Sequence, residues 1–297
     1  MKGMKLLAYA VLMALALAFV GCKHESSSPE TIVVGAIEGS EVFVEGRTVS
    51  IRASLWACDH EVTQAEYVAV MGEEAHHSWN CEHDNPVAEG EIQENRPVDM
   101  VSWYECLVYC NKRSIGEGLT PCYTIGGKTN PDEWGEIPVD AVNSAWEAVS
   151  CNFDANGYRL PTEAEWEYLA RGGNIGNSGQ TVYSGSNNLG EVAWYDQNSG
   201  DKSHEIKKKA PNALGLYDMS GNVNEWCWDW YGIIGSDTPD TGPTSGEGRI
   251  YRGSCYQHDD FSCRVADRGD PWEAPCSHEA FEGNNDLGFR VVRSSSN

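Results

Sequence analysis

Basic residues are scarce in this chain. Its 297 residues include 21 Lys and Arg against 45 Asp and Glu, which gives a formal net charge of −24. A surface of this sign repels a phosphate backbone, so nucleic acid is excluded as an expected partner. The acidic excess is typical of a solvated surface, and it also leaves room for Ca²⁺, which binds carboxylate and carbonyl oxygens.

Long apolar runs are lacking too, except for one near the N-terminus. LLAYAVLMALALAFV, residues 6–20, is too short for a membrane-spanning helix. The run ends in FVGC at residues 19–22, where small residues before a cysteine fit a bacterial lipoprotein cleavage site. We therefore predict a lipoprotein signal peptide over residues 1–21 and lipidation of Cys22. The alternative is an ordinary signal peptide with an incidental cysteine.

A polar stretch follows the predicted lipidation site. KHESSSPE is Ser-rich and has no hydrophobic periodicity, so residues 22–30 are predicted to be a lipidated tether. Residues 31–297 contain no internal repeat and no second linker, which favours one domain. Acyl chains on Cys22 would anchor that domain to a membrane that it does not span. This organisation predicts a protein of the bacterial cell envelope, lipid-anchored at the outer-membrane surface.

The sequence has no CxxC pair among its 11 cysteines. An exported chain meets oxidising conditions, so disulfides are expected, although their connectivity cannot be read from the spacing. Cys106 and Cys110 are four residues apart and fall on one face of a predicted helix. That spacing can hold a metal ion, but no His or Cys partners stand nearby at ligand spacing, so we assign none.

Local patterns predict three helices and several short strands. Three capping boxes mark helix starts, with ends expected near Gly72, Gly116 and Gly172. The boxes are Thr63 with Glu66, Ser102 with Glu105, and Thr162 with Glu165. Val and Ile runs punctuated by Gly over residues 31–63 predict strands and hairpins. The remaining Gly, Asn and Ser favour long loops over a small sheet, and the fold class is α+β.

Six stretches in fixed order resemble the formylglycine-generating-enzyme (sulfatase-modifying-factor) domain, a variant of the C-type lectin fold. The stretches are EVTQAEYVAVMG (61–72), RPVDMVSWYECLVYCN (96–111), YRLPTEAEWEYLARGG (158–173), NALGLYDMSGNVNEWCWDWY (212–231), RIYRGSCY (249–256) and LGFRVVRS (287–294). The resemblance implies a small twisted antiparallel sheet, few helices and long ordered loops. Trp166 and Trp226 are interpreted as core scaffold, since buried aromatics usually serve packing.

The resemblance also raises the possibility of catalysis. The family's enzymes oxidise a sulfatase cysteine to formylglycine with two cysteines that hold Cu(I), a metal suited to soft thiolates. When RGSCY is aligned with the family's RGGSW segment, His258 occupies the position of the first catalytic cysteine and Cys263 that of the second. One member of the pair is therefore missing, and no catalytic residue is assigned.

The resemblance implies one metal position as well. Glu225, with backbone carbonyls at Gly221 and Val223, matches a calcium site in the family's enzymes. Oxygen ligands in a tight turn suit Ca²⁺. The alternative is a structural turn without an ion, so no cofactor is expected apart from this structural calcium.

The C-terminal region, residues 249–293, is similar to the diversified region of variable proteins from diversity-generating retroelements, and the lipid-anchored layout is similar to the treponemal variable lipoproteins. Mutation of adenines turns AAC or AAT codons into Tyr, His, Asp, Ser, Gly and Phe codons, but not into Trp, Glu or Gln codons. Gln257, Trp272 and Glu273 are therefore expected to be fixed. The candidate ligand-binding residues are Tyr256, His258, Asp259, Asp260, Phe261, Asp267, Asp270, Asn284 and Asn285. Their types match the usual residues of binding loops, although an ordinary set of polar loops would look similar.

Two functions compete at this point. The first is a surface-displayed, non-catalytic bacterial lipoprotein that binds a protein or glycan ligand through a diversified C-terminal face. The second is a copper-dependent formylglycine-generating oxidase that acts on a sulfatase cysteine. A structural partner of an envelope complex is a weaker third interpretation.

Overall fold

Short strands and ordered loops make up most of the molecule. The computed structural model describes residues 21–23, 30–34, 47–51, 55–72, 87–173, 179–270, 274–275 and 277–294. For 21–23, 30–34, 47–51, 269–270 and 274–275 it describes the backbone alone. The predicted signal peptide up to residue 20 and most of the predicted tether lie outside the described residues. No helix in the described ranges is long and apolar enough to cross a membrane.

Five α-helices lie in the described part of the chain: α1 (Gln64–Met71), α2 (Trp103–Gly116), α3 (Ser144–Glu147), α4 (Glu163–Ala170) and α5 (Leu189–Val192). Single 3₁₀ turns occur at Gln93–Asn95 and Pro131–Glu133. All three predicted capping boxes are confirmed, because in each one the hydroxyl and the glutamate satisfy each other's backbone N–H. The four-residue helices α3 and α5 were missed, since a single turn is too short to show helical periodicity.

The strands form two four-stranded sheets and three two-stranded ribbons. The first sheet has the order β1-β4-β14-β7 and is antiparallel. The second has the order β12-β9-β8-β13, in which only the β13–β8 pair is parallel among these four strands. The ribbons are β2–β3, β5–β6 and β10–β11. The strands are β1 (Gly21–Lys23), β2 (Glu30–Val34), β3 (Arg47–Ile51), β4 (Leu55–Cys58), β5 (Tyr123–Thr124), β6 (Ser150–Cys151), β7 (Tyr158–Arg159), β8 (Asn224–Trp230), β9 (Arg249–Arg252), β10 (Gly269–Asp270), β11 (Ala274–Pro275), β12 (Ser277–His278), β13 (Leu287–Gly288) and β14 (Val292–Ser294).

Tryptophans join helix α2 to the second sheet. The indole N–H of Trp226 in β8 donates to the carbonyl of Val101, just before α2. In return, the indole N–H of Trp103 in α2 donates to the carbonyl of Cys227 in β8. Both rings are fully buried, and their polar N–H groups are satisfied, as a dry core requires. The prediction that Trp226 serves the core is confirmed.

The expectation of disulfides is wrong for the cysteines that the structure describes. None of the eight cysteines whose side chains are described takes part in a disulfide. Seven are buried among core side chains, where cysteine behaves as a small apolar residue and needs no covalent partner to be stabilised. Burial raises the pKa of Cys106 and of Cys110 on α2 well above the ordinary value. Cys81 and Cys276 lie outside the described residues.

The capping box of α2 provides a test of how this fold is stabilised. Ser102→Ala removes the hydroxyl that accepts from the Glu105 N–H at 3.2 Å. We expect the free energy of unfolding in urea to fall by about 1 kcal/mol, because a buried helix N-terminus loses an acceptor. The control is Ser144→Ala at an exposed site, which should change the value by less than about 0.5 kcal/mol. Equal values for the two variants would contradict the assigned cap.

Candidate functional site

A long loop after β9 carries most of the candidate binding residues. It begins with Gly253 and Ser254, whose φ angles of 97° and 68° are both left-handed. A Cβ on Gly253 would lie 3.1 Å from Cζ2 of Trp166, so a larger residue would crowd the indole and strain a backbone with positive φ. Ser254 adopts the same unusual region with a side chain, which is typical of a backbone fixed by its surroundings. The two residues turn the chain out of the sheet toward solvent.

Buried arginines close the base of this loop. Arg252, just before it, and Arg268, just after it, both donate to Oε1 of Glu163 in α4, at 2.8 and 2.5 Å. Arg252 also donates to Oε2 of Glu167 at 3.1 Å and to the carbonyl of Val265 at 2.6 Å. Both arginines and both glutamates of this base are more than nine-tenths buried. We call the Arg252–Glu163–Arg268 arrangement the arginine clasp.

The clasp holds an exposed run at the tip of the loop. Residues 257–261 are all exposed, whereas Cys255, Tyr256 and Cys263 on either side are buried. The run contains four of the predicted binding residues, His258, Asp259, Asp260 and Phe261. Asp259 shapes the loop, because its Oδ1 accepts from the Ser262 N–H at 3.1 Å. The Arg264 guanidinium lies 4.3 Å from the centre of the Phe261 ring and supports it.

The other predicted binding residues are placed differently. Tyr256 is only 1% exposed, so its assignment as a ligand-contacting residue is wrong. Its hydroxyl instead donates to the carbonyl of Asn285 at 3.2 Å and ties the loop to the following segment. Asn284 is exposed and bonds His278 at 3.0 Å, whereas Asp267 is half-buried. The side chain of Asp270 lies outside the described part of the molecule.

A second segment, residues 196–201, lies against the loop and was not predicted. The Asp196 N–H donates to the carbonyl of His258 at 3.1 Å, and the Ser199 hydroxyl donates to the carbonyl of Tyr256 at 2.7 Å. Gln257 Nε2 donates to Oδ1 of Asp201 at 3.0 Å. No local sequence pattern marks this contact, because the two segments are some 56 residues apart and share no periodicity.

The two cysteines of the loop are buried and protonated. Burial raises the pKa of Cys255 well above its ordinary value, and the nearby Asp286 carboxylate adds to the effect. Burial also raises the pKa of Cys263 to about 12, against a hydrogen bond from Ser254 that lowers it. The carboxylates of Asp259 and Asp196 raise it further. Neither sulfur is a thiolate at neutral pH, and the thiolate is the reactive form of cysteine.

Comparison with known proteins identifies the family. A family model described as the sulfatase-modifying factor enzyme 1-like domain matches residues 24–295. The chain belongs to this family. The match confirms the resemblance from which the fold was expected, and the α+β, C-type lectin-like fold of the formylglycine-generating-enzyme type is confirmed as well.

Individual relatives of the sulfatase-modifying-factor domain carry different functional names. Treponema denticola variable protein 1 is similar in structure, with a TM-score of 0.75 and 36% identity over 93% of this chain and 99% of that one. The chaperone protein LppX of Paenibacillus barcinonensis is 41% identical over 66% of this chain and 69% of its own length. The formylglycine-generating enzyme of Streptomyces coelicolor is 34% identical, and the alignment spans 51% of each chain. The chain therefore spans about half the length of that enzyme.

The calcium position implied by this family does not fit the residues present. Both carboxylate oxygens of Glu225 accept from Arg290, each at 2.6 Å, and one also accepts from the Trp166 indole at 2.8 Å. The Val223 N–H donates to Glu61, and the Gly221 N–H donates to the carbonyl of Gly253. A cation at Glu225 would have to displace a buried guanidinium, whose charge already balances the carboxylate.

The arginine clasp provides the first test of this site. Glu163→Gln leaves two buried guanidinium groups without their shared carboxylate, so we expect the free energy of unfolding to fall by about 3 to 5 kcal/mol. Thermal unfolding measures the loss. The matched control is Glu133→Gln, which breaks a solvent-exposed pair with Lys128 and should cost less than about 1 kcal/mol. A loss no larger than the control's would show that the clasp does not hold the loop.

The buried thiols provide the second test. Under native conditions we expect Cys255 and Cys263 to react with N-ethylmaleimide at least about tenfold more slowly than the half-buried Cys151, because they are protonated and shielded. Because the thiolate is the reactive form, the Cys263 rate should keep rising with pH toward its pKa of about 12. Peptide mapping by mass spectrometry gives the rates. Rapid labelling of either loop cysteine at neutral pH would contradict the assignment.

Proposed function

We propose that this chain is a non-catalytic ligand-binding protein, which presents the exposed run 257–261 to a protein or glycan target. The observation that carries the proposal is the arginine clasp below an exposed polar and aromatic tip. A base fixed by buried ion pairs holds the tip in place before binding, so less conformational entropy is lost when a target binds. Loops on a rigid scaffold are where recognition residues concentrate.

Residue types at the tip support a diversified surface. His258, Asp259, Asp260 and Phe261 can all arise from AAC or AAT codons by mutation of adenines, and all four are exposed. Gln257 cannot arise in this way, and it bonds Asp201 on the neighbouring segment. The four reachable positions 258–261 are all exposed, whereas Tyr256 and Cys263 on either side of the run are buried. The similarity to Treponema denticola variable protein 1 supports the same interpretation.

Charge favours a particular kind of target. Asp259 and Asp260 are exposed at the tip, and Asp196 and Asp201 lie on the segment beside it. The whole chain carries a formal charge of −24. A target surface with Lys or Arg side chains would be attracted to this face and would associate faster at low salt. The exposed Phe261 offers an apolar contact at the centre of the charged rim.

Lipid anchoring would place this face in solution near a membrane. Lipidation of Cys22 would anchor the domain to a membrane that it does not span. The structure describes β1 (Gly21–Lys23) paired with β4, so a lipid on Cys22 would start directly beside the first sheet. Surface display at the outer membrane completes the proposal.

Sequencing the locus tests the proposal. We expect a near-copy of the codons for residues 249–293 close to the gene, with AAC or AAT at the codons of His258, Asp259, Asp260 and Phe261. A reverse-transcriptase gene should lie beside it. Isolates should differ at those four codons, whereas the codons for Arg252, Arg268 and Glu163 serve as the matched control and should not change. A single invariant copy without a reverse transcriptase would defeat the diversified version of the proposal.

The alternative function is that of a formylglycine-generating oxidase. Its two-thiolate copper site is disfavoured here, because His258 replaces one cysteine and both loop thiols are buried. Incubation of a CxPxR peptide with the protein and Cu(I) should give no aldehyde by mass spectrometry. Aldehyde formation that disappears in Cys263→Ser would establish the enzyme and overturn the non-catalytic proposal.

A further inference from the structure

We propose that Cys255, His258 and Asp286 form a binding site for Zn²⁺ beside the exposed run. One ligand atom of each residue, the thiol sulfur, a ring nitrogen and a carboxylate oxygen, lies within 4.8 Å of the other two. Cys255 is buried, Asp286 is half-buried and His258 is exposed. The cluster is therefore shielded from solvent on the sulfur side and open to solvent on the imidazole side.

Each donor is held by contacts outside the cluster. Asn224 fixes Asp286 twice, since its N–H donates to the Asp286 carbonyl at 2.7 Å and its Nδ2 donates to Oδ2 at 3.0 Å. The carbonyl of His258 accepts from the Asp196 N–H, and Ser254 Oγ lies 3.3 Å from Nδ1 of the ring. Outer contacts of this kind orient metal ligands and maintain affinity.

The donor set suits zinc better than the other common metals. Sulfur, nitrogen and oxygen ligands together are typical of Zn²⁺, whereas Ca²⁺ and Mg²⁺ take oxygen and Cu(I) favours several soft sulfurs. Zinc–ligand bonds of about 2.0 to 2.3 Å in a tetrahedron place the ligand atoms about 3.5 Å from one another. Side-chain rotations that move the donor atoms by about 1 Å would bring the three donors to that separation. Three protein ligands leave the fourth position to water on the exposed side.

Charge also favours a divalent cation. The Asp286 carboxylate lies within 4.8 Å of the Cys255 sulfur, so an anionic oxygen already faces the thiol. A zinc ion would replace the thiol proton and would balance both the resulting thiolate and the carboxylate. Asp201 and Asp99 lie near the adjoining Tyr256 and add to the negative potential. Arg252 and Arg268, at the base of the loop, are bound to Glu163.

A second cluster in the molecule shows the contrast. Cys58, Asp59 and His60 also lie within 4.8 Å of one another. There, Lys207 Nζ is 2.7 Å from Asp59, and His60 lies between Asp59 and Glu66. Burial would lower the pKa of His60, but hydrogen bonds to Asp59, Cys58 and Glu66 outweigh it and raise the pKa to about 11. A protonated imidazole next to an ammonium group cannot ligate a metal ion.

Zinc titration of the full, untagged and reduced chain tests the site. At about pH 8, where competition from protons is weaker, isothermal calorimetry should show one Zn²⁺ bound per chain. His258→Ala and Asp286→Asn should each weaken binding at least about 100-fold, since each removes one of three ligands. His278→Ala, at a half-buried histidine outside the cluster, is the matched control and should leave affinity unchanged.

Cobalt substitution identifies the sulfur ligand. Co²⁺ should give a thiolate-to-cobalt absorption band in the wild-type chain, and the band should be absent in His258→Ala and in Cys255→Ser. His258 and Asp286 lie on the solvent side, so their variants keep the test decisive if Cys255→Ser fails to fold. No zinc bound at about 100 μM, or equal affinity in His258→Ala and wild type, would overturn the proposal. Either result would leave target binding by the exposed run untouched.

Discussion

One buried carboxylate, Glu163, joins the two ends of the loop that carries the exposed run 257–261. Arg252 and Arg268 reach it from the two ends of the same loop, and each guanidinium has left water to do so. Separating such charges inside the protein is costly, because the remaining ion has no water to replace its partner. The loop between them is consequently anchored by electrostatics at its base, and its tip is free to take almost any polar or aromatic side chain.

Much of the scaffold could be predicted from local sequence. Capping boxes at Thr63, Ser102 and Thr162 marked three helix starts correctly, because the interaction spans only three residues. The buried role of Trp226 and the fold class also followed from short motifs. Helices α3 and α5 escaped prediction because a single turn is held mainly by its neighbours and carries no repeating pattern.

The candidate site was predicted less completely, for a physical reason. Glu163 and Glu167 belong to a helix whose acidic positions look solvent-exposed in the sequence, yet every residue of α4 is buried. Arg252 and Arg268 come from 85 to 105 residues away from these glutamates, so no local signal marks the clasp. Tyr256 was assigned to the surface on its residue type, but residue type alone does not distinguish a binding tyrosine from one that bonds Asn285 inside the fold.

The left-handed turn at Gly253 and Ser254 has an evolutionary consequence. It turns the chain beside Trp166, and the exposed run 257–261 then lies between the buried Tyr256 and the buried Cys263. Lengthening the tip would change little except the entropy of closing the loop, which rises by only about 0.6 kcal/mol for each doubling of length. Insertions and deletions between residues 257 and 261 should therefore be tolerated, giving a lineage a way to reshape its outer surface in size as well as in chemistry.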